Sequence, residues 1–302
     1  MIILQIIATI IILEFLIQIF IKIYKQKFKW FITEDDEIPK FDKKKFENFL
    51  INSFDAKLGW KQKLNSSGFF EFKKKKIKYI HHRNLIKKHK KKLIASFGDS
   101  YVYSNHMDDR NTWSEQISKK NNFNVLNYGV GNYGLDQAIL KYENTNLSKE
   151  TKIVIMGFVP ETITRVQSSW KHYTEFGNIN GFKPKFELVG NNLILRNNPI
   201  NLKTKIHHIE KIIYKLKKTE RFYKERFFKY KFQFPYLVKF LRNLKFNLKI
   251  FTYLIASDVT KISYKSQLYD KIQNAIFYSI IERNVKEAHS LYKENYSKKL
   301  LT

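Results

Sequence analysis

Residues 93–100 read LIASFGDS, a short apolar run that stops at a glycine. Residues 93–97 have the length and character of a buried β-strand, whereas glycine, aspartate and serine favour turns and helix starts. The sequence around Gly98-Asp99-Ser100 therefore predicts a strand that passes through a tight turn into a helix.

Two later segments repeat this pattern of a short apolar run followed by a turn. Residues 125–126 lead into NYGVGNYG at 127–134, and residues 153–158 (IVIMGF) end at Val159-Pro160. Short apolar runs bounded by glycine or proline are typical of strands in a buried sheet.

Helical patterns occupy the intervals between these strands. One lies at 113–118 and the other at 135–142, where Leu135, Ile139 and Tyr142 share one face. Strands that alternate with helices predict a parallel sheet of an α/β fold. Because ligands bind at the carboxyl ends of such strands, all three turns are candidates for a functional site.

The composition limits the chemistry that is open to this chain of 302 residues. The absence of cysteine excludes disulfides, Cys-ligated metal centres and a thiol nucleophile. A formal net charge of +29 favours anionic partners such as phospholipid, acidic polysaccharide or nucleic acid. The adjacent histidine pairs lack the spacing of helical metal ligands, and no nucleotide-binding glycine motif is present, so we expect no metal and no cofactor.

The N-terminus, residues 1–24, is predicted to be a transmembrane anchor because about 20 mostly apolar residues suffice to span a bilayer. Glu14 interrupts the run, and a carboxylate at that depth costs a few kcal/mol unless it faces a partner. No basic residue precedes the run and no small-residue cleavage site follows it, which favours an anchor over a cleaved signal peptide. A buried helix of a soluble protein is the alternative.

The rest of the chain divides into a connector at 25–92 and an α/β domain at 93–302. Within that domain, residues 186–196 predict a β-hairpin around Gly190-Asn191-Asn192. Residues 201–250 hold 15 Lys or Arg against three Glu and predict a basic helical insertion, broken near Pro235. This insertion is interpreted as a membrane surface, a nucleic-acid surface or a solvated face, and the nearby anchor makes membrane contact the better of the first two.

Ser100 is the residue with the clearest chemical potential. A serine at a strand-to-helix turn projects its hydroxyl at the edge of the sheet, where its own N–H also points. Backbone N–H groups in the later glycine-rich turn are candidates to stabilise an oxyanion, with Gly131, Asn132 and Gly134 as the donors. The alternative is a plain helix cap by Asp99 or Ser100.

Residues 94–165 resemble the SGNH/GDSL hydrolase family, in particular its bacterial members with an N-terminal membrane helix. The resemblance is carried by FGDSYV at 97–102, DDRNTW at 108–113 and NYGVGNYGLDQ at 127–137. Leu13-Glu14-Phe15-Leu16 is similar to the anchor of that subgroup, and Leu58-Gly59-Trp60 with Asn65 is similar to its linker.

The resemblance implies a flavodoxin-like sheet and a serine esterase or O-acyltransferase, acting on acyl (for example O-acetyl) esters of a surface carbohydrate or lipid. It makes Ser100 the nucleophile and places the membrane-anchored domain outside the cytoplasm, whereas the Lys-rich flank after the anchor favours the opposite side. By the same resemblance, the residues that bind the oxyanion or the substrate are Gly131, Asn132, Gly134 and Arg165. The residues that support the site are Asp99, Asp136 and Glu161.

Two features depart from the family pattern. Val159 stands where the third block usually has an oxyanion-binding asparagine, and the segment instead reads G-x-V-P-E-x-I-x-R, ending at Arg165. The C-terminal D-x-x-H motif that supplies the base is absent, and the last histidine is His289 in a Lys-rich tail. We therefore expect a C-terminally truncated member, and a non-catalytic, membrane-tethered binding protein is the alternative function.

Overall fold

The protein is a mixed α/β chain, and the computed structural model describes residues 1–27, 32–62, 66–72, 75–81, 92–105, 107–175, 177–220, 223–228 and 231–259. The described part falls into two compact units. One joins Met1–Lys40 to the described residues from Ile213 onward, and the other comprises Phe41–Ile212. Asn65 and His289, named in the sequence analysis, lie outside the described residues, and so do His82 and His106.

The helices and strands have the following bounds. The α-helices are α1 (Ile2–Lys27), α2 (Lys43–Asn52), α3 (Ser100–Tyr103), α4 (Trp113–Lys120), α5 (Leu135–Glu143), α6 (Lys171–Thr174), α7 (Ile209–Thr219), α8 (Tyr236–Arg242) and α9 (Leu244–Val259). The strands are β1 (Phe54–Asp55), β2 (Gly59–Trp60), β3 (Ser66–Phe72), β4 (Lys75–His81), β5 (Lys92–Gly98), β6 (Phe123–Asn127), β7 (Thr151–Gly157), β8 (Lys185–Val189) and β9 (Asn192–Arg196). Short 3-10 helices occupy Glu34–Asp36, Asp109–Asn111, Pro160–Gln167 and Ile206–His208, and a π-helix occupies Tyr223–Phe228.

A parallel sheet of three strands, in the order β6-β5-β7, forms the centre of the Phe41–Ile212 unit. These are the three strands that the apolar runs predict, and the predicted helices between them are α4 and α5. In the register, Ala95 of β5 lies beside Leu126 of β6 and Val154 of β7. The carboxyl ends of all three strands consequently meet at one edge of the sheet.

The middle strand β5 is buried from Leu93 to Gly98 because it has a hydrogen-bonded neighbour on each side. Ala95 and Phe97 form a small core with Ala138 of α5. The ring of Phe97 stacks on that of Tyr128, with the centroids 4.9 Å apart. This core holds α5 against the sheet and fixes the end of β5.

Helix α5 buries a different side from the one that its apolar residues suggest. Leu135, Ile139 and Tyr142 are half-buried or exposed, whereas the buried residues are Asp136, Gln137, Ala138 and Leu140. The reason is that two of the buried polar side chains have specific partners. Asp136 forms an ion pair with Lys183, and Gln137 Nε2 donates to the carbonyl of Leu58 at 2.6 Å.

Within the described ranges, three antiparallel strand pairs accompany the parallel sheet. The predicted hairpin is confirmed as β8–β9, with Gly190 in a left-handed conformation at its turn (φ 60°). The pairs β1–β2 and β3–β4 have no counterpart in the sequence-based expectations.

Helix α1 is the one described helix that is long and apolar enough to cross a membrane, over Ile2–Lys25. Within the 201–250 segment the structure places α7, the π-helix, α8 and the start of α9, and Pro235 directly precedes α8. In the same unit as α1, the carboxylate of Glu37 accepts from Lys217, Lys231 and Tyr223.

Candidate functional site

Ser100 is the first residue of α3, immediately after the central strand, and is partly buried. Asp99 caps this helix, since its Oδ1 accepts from the N–H of Tyr101 at 2.9 Å. The helix lasts one turn and ends at Ser104, which has a left-handed conformation (φ 59°). The cap, short helix and left-handed end fix the backbone around Ser100.

Glycine is required at the ends of β5 and β7 because Val102 of α3 packs against both. A Cβ atom on Gly98 would lie 2.4 Å from Val102 Cγ2 and 2.3 Å from the carbonyl oxygen of Gly157. A Cβ atom on Gly157 would lie 2.5 Å from the same methyl carbon. The serine turn can therefore sit directly on the sheet edge.

The second turn, at residues 127–134, is tied to the serine turn, at residues 98–100, through Asn127. Its Nδ2 donates to the carbonyl of Val102 at 2.7 Å, and its Oδ1 accepts from the N–H of Gly129 at 3.0 Å. The N–H of Val130 donates to the carbonyl of Gly98, also at 3.0 Å. These bonds place the Gly131–Asn132 segment beside the end of β5.

The tip of the second turn offers backbone N–H groups that can donate hydrogen bonds to a ligand. Asn132 is left-handed (φ 69°), which turns its backbone away from a regular path. The N–H groups of Ser100, Gly131 and Asn132 make no hydrogen bond within the described part of the chain. Gly134 differs, because its N–H donates to Gln137 Oε1 at 3.1 Å and caps α5.

Arg165, in the 3-10 helix after β7, contacts the serine turn, the second turn and Glu175. Its Nη1 donates to the carbonyl of Tyr133 at 2.7 Å and lies 4.0 Å from Asp99 Oδ2, and its Nε donates to Glu175. Asp99 Oδ2 is buried without a hydrogen-bond partner, so Arg165 is its compensating charge. Glu161 has its backbone in the same 3-10 helix, and its side chain lies outside the described part.

Asp136 has a structural position away from the turn tips. Its carboxylate pairs with Lys183, and both side chains are at least 95% buried. Its Oδ1 also accepts from the N–H of Gln137 at 2.9 Å. These contacts hold the start of α5, which immediately follows the second turn.

Lys171 is a buried cation at this site that the sequence did not single out. Its Nζ donates to the carbonyl of Asn132 at 3.0 Å and to Glu175 Oε2 at 3.1 Å. Burial lowers the pKa of Lys171 to about 7, and the attraction of Glu175 only partly opposes this effect. Burial alone would raise the pKa of Glu175, but Lys171 and Arg165 hold it below its usual value.

A cavity of about 560 Å³ opens beside the second turn. Its described lining holds neither aspartate nor glutamate and is rich in amides. Gly131 is among the lining residues and Ser100 is not. A Cβ atom built on Gly131 would lie 3.7 Å from Gln62 Oε1 and 4.0 Å from Asn105 Oδ1. Its polar and aromatic side chains include those of Trp60, Gln62, Asn105, Asn132, Lys171 and Asn178.

Trp60 connects this cavity to the turn through a reciprocal pair of hydrogen bonds. Its indole N–H donates to the carbonyl of Gly131 at 3.1 Å, while the hydroxyl of Tyr133 donates to the carbonyl of Trp60 at 2.6 Å. The Lys171 ammonium lies 5.7 Å from the centre of the indole ring. The short strand β2 thereby forms one wall of the site.

No described histidine forms a hydrogen bond with Ser100 Oγ. His172 is buried, its Nδ1 accepts from the N–H of Gly177 at 3.2 Å, and its ring lies 4.6 Å from that of Trp170. His172 is thus held by the loop that it supports.

The site therefore combines a serine at the carboxyl end of a central parallel strand, a neighbouring turn with free N–H groups and an amide-lined cavity. Comparison of the chain with known protein families, with curated proteins and with solved structures finds no match.

Proposed function

We propose that this protein is a serine-dependent ester hydrolase or O-acyltransferase of the SGNH type, with a flavodoxin-like sheet and Ser100 as the nucleophile. The observation that carries the proposal concerns the N–H groups of Ser100, Gly131 and Asn132, which have no hydrogen-bond partner among the described residues. They belong to two turns that hydrogen bonds join at the edge of the sheet. Preorganised N–H donors of this kind stabilise the oxyanion that forms during acyl transfer.

In the proposed reaction, Ser100 Oγ forms a bond to the acyl carbonyl carbon while its proton passes to a base. The carbonyl oxygen becomes an oxyanion held by the free N–H groups. Collapse of this intermediate breaks the bond to the leaving alkoxide, which takes the proton, and leaves an acylated serine. Water then releases the acyl group as a carboxylic acid, or an acceptor hydroxyl takes it. His106, six residues after Ser100, is the first candidate to test as the base.

The cavity supports a carbohydrate as the part of the substrate that carries the ester. Amide side chains such as those of Asn105 and Asn178 offer both donors and acceptors to sugar hydroxyls. The Trp60 ring offers an apolar face, and the exposed Lys61 in the cavity lining supplies a cation that favours an acidic sugar. A surface polysaccharide with O-acetyl groups fits this chemistry.

Helix α1 is proposed to anchor the protein in the membrane as a single span. Its length and apolar composition over Ile2–Lys25 support this, and every side chain from Met1 to Leu13 is exposed. The resemblance favours an extracytoplasmic position for the catalytic unit.

The test uses the full chain in detergent micelles, with p-nitrophenyl acetate and butyrate as substrates. Ser100→Ala is expected to lower turnover by about 10²–10⁴-fold and to abolish labelling by a fluorophosphonate. Ser148→Ala, an exposed serine in a loop, is the matched control and should keep wild-type turnover. A folded wild-type protein with neither turnover nor labelling would contradict the catalytic proposal.

The second candidate is a non-catalytic carbohydrate-binding protein. It is favoured by the position of Ser100 outside the cavity lining and by the lack of a described histidine on its hydroxyl. In that case, binding of an acetylated acidic oligosaccharide, measured by calorimetry, would be unchanged by Ser100→Ala and weakened severalfold by Lys61→Met.

A further inference from the structure

Glu14 lies close to the middle of the apolar helix α1. At 1.5 Å per residue, it is about 18 Å from Ile2 and about 17 Å from Lys25, whereas half of a bilayer's hydrocarbon core is about 15 Å. If α1 spans the membrane as proposed above, the carboxylate is near the midplane. Such a group needs a partner within the protein.

Its partner is the first turn of α8. The two carboxylate oxygens of Glu14 accept the backbone N–H groups of Tyr236 and Leu237, the latter at 2.7 Å. Because these are direct hydrogen bonds, α8 begins at the depth of Glu14. The depth of α8 therefore follows from that of α1.

Contact between α1 and the hairpin formed by α8 and α9 continues toward Lys25. The ring of Phe20 stacks on that of Phe251 in α9, with centroids 4.0 Å apart. The covered residues of α1 recur at intervals of three or four positions and form one stripe. It consists of Glu14, Ile17, the pair Phe20 and Ile21, and the pair Tyr24 and Lys25.

The exposure pattern of this hairpin is the reverse of that of a water-soluble surface. The cation Lys239 is only 8% exposed, whereas its neighbours Val238 and Leu241 are 44% and 54% exposed. Large apolar side chains continue along the same segment, since Phe234, Leu244 and Leu248 are also exposed. Exposed large apolar side chains gathered on one segment mark an interaction site for protein or membrane.

The backbone of α8 is also satisfied at both ends within the protein. Glu14 accepts at the first turn, and at the last turn Asn247 Nδ2 donates to the carbonyl of Phe240 at 2.8 Å. The N–H of Asn243 donates to the carbonyls of Phe240 and Leu241. Hydrocarbon imposes this requirement because it offers no water to unpaired N–H and C=O groups.

We propose that the α8–α9 hairpin is embedded in the membrane, with its exposed apolar side chains among the acyl chains of the leaflet on the Lys25 side of Glu14. The inference rests on the proposed anchoring of α1. Arg242 and Lys245, both exposed near the α8–α9 turn, reach the headgroups of that leaflet and favour anionic lipid. The protein thus contacts the bilayer through two elements, the spanning helix α1 and the re-entrant α8–α9 hairpin, which meet at Glu14.

The absence of cysteine makes the test direct, because a single introduced cysteine can carry a nitroxide label without background. Val238→Cys and Leu241→Cys are made in the full chain and reconstituted in vesicles of phosphatidylcholine and phosphatidylglycerol. Collision with oxygen, which is enriched in hydrocarbon, is compared with collision with a water-soluble nickel chelate. Ile7→Cys in α1 is the lipid control, and Glu143→Cys, exposed at the end of α5, is the aqueous control.

Both hairpin labels are expected to resemble Ile7→Cys, with nickel accessibility several-fold below that of Glu143→Cys. If the hairpin labels are as accessible to nickel as Glu143→Cys while Ile7→Cys is protected, the hairpin inference is overturned and the proposed anchor stands. An aqueous reading at Ile7→Cys would overturn both the anchor and the hairpin. The esterase assay is independent of each of these outcomes.

Glu14 itself supplies a second measurement. Glu14→Gln keeps one acceptor oxygen and should leave the nickel accessibility of the Val238→Cys label low. Glu14→Leu removes both acceptors and should raise the nickel accessibility of that label severalfold. An unchanged reading in Glu14→Leu would overturn the role of this contact in setting the depth of α8.

Discussion

The guanidinium of Arg165 lies 4.0 Å from the carboxylate of Asp99, and both side chains are buried, with 12% and 3% of their surface exposed. The same guanidinium holds the carbonyl of Tyr133 and the carboxylate of Glu175. The resemblance implies that Arg165 or a backbone N–H takes the place of the oxyanion-binding asparagine. Its contacts instead suit a positioning residue that joins the serine turn to the second turn.

Arg165→Met should lower the free energy of unfolding by about 3–5 kcal/mol, because it leaves the buried carboxylate of Asp99 without its cation. Glu175 loses one of its two cations and keeps Lys171. Arg165→Lys keeps the charge but loses the forked geometry, and we expect a smaller loss of about 1–2 kcal/mol. Urea denaturation of the full chain in detergent, followed by tryptophan fluorescence, measures both. Wild-type stability in Arg165→Met would contradict the assigned role.

The buried ion pair of Asp136 and Lys183 should show strong coupling. Lys183→Met alone leaves a buried carboxylate and should cost about 3–5 kcal/mol, whereas the double variant with Asp136→Asn should recover much of the loss. Arg196→Met breaks the exposed pair with Glu187 and serves as the control, with an expected effect of about 0–1 kcal/mol. Additive losses in the double-mutant cycle would refute the coupling.

Lys171 should make stability depend on pH in the alkaline range. Its pKa is about 7 in the folded protein, whereas the ordinary lysine value of 10.5 applies to the unfolded chain. Between pH 7 and pH 10.5, Lys171 is therefore protonated in the unfolded chain and neutral in the folded protein. Stability should therefore rise with pH across this window, by at most about 1.4 kcal/mol per pH unit. Lys171→Met should remove this rise, whereas Lys61→Met, an exposed lysine that also lines the cavity, should retain it. Equal slopes in the two variants, measured by denaturation at pH 7 to 10, would argue against the assignment.

Gly98→Ala should destabilise the serine turn by about 1–3 kcal/mol because the added methyl meets Val102 and the Gly157 carbonyl below 2.5 Å. Gly131→Ala places its methyl no closer than 3.7 Å to any neighbour and should change stability by less than about 0.5 kcal/mol. The thermal midpoints of the two variants give the comparison. A Gly98→Ala protein as stable as Gly131→Ala would show that the turn adjusts freely.

The sequence predicted the parallel strands because each is a short apolar run that stops at glycine or proline. It also predicted the β8–β9 hairpin, where Gly190 takes the left-handed conformation that such turns need. These features depend on neighbouring residues along the chain, and local patterns record them directly. The flavodoxin-like architecture and the serine chemistry stay predictions.

Features that depend on distant partners were not predicted. Lys171 is one of 56 Lys and Arg residues, and nothing in its neighbourhood distinguishes it from a solvated lysine. The buried side of α5 was obscured because Asp136 and Gln137 are buried by contacts with Lys183 and Leu58, 47 and 79 residues away. Burial of polar groups is decided by such long-range pairing, which apolar periodicity does not reveal.

The walls of the cavity come from segments outside the strand ends that carry Ser100. Trp60 and Gln62 precede the sheet in the chain, and residues 177–181 follow it, whereas the serine turn is fixed by Gly98, Val102 and Asn127. Substitutions in those walls can alter which ligand fits without disturbing the geometry of the serine. The shape of the cavity and the backbone of the serine turn are thus held by largely different residues, and selection can change the one while the other is conserved.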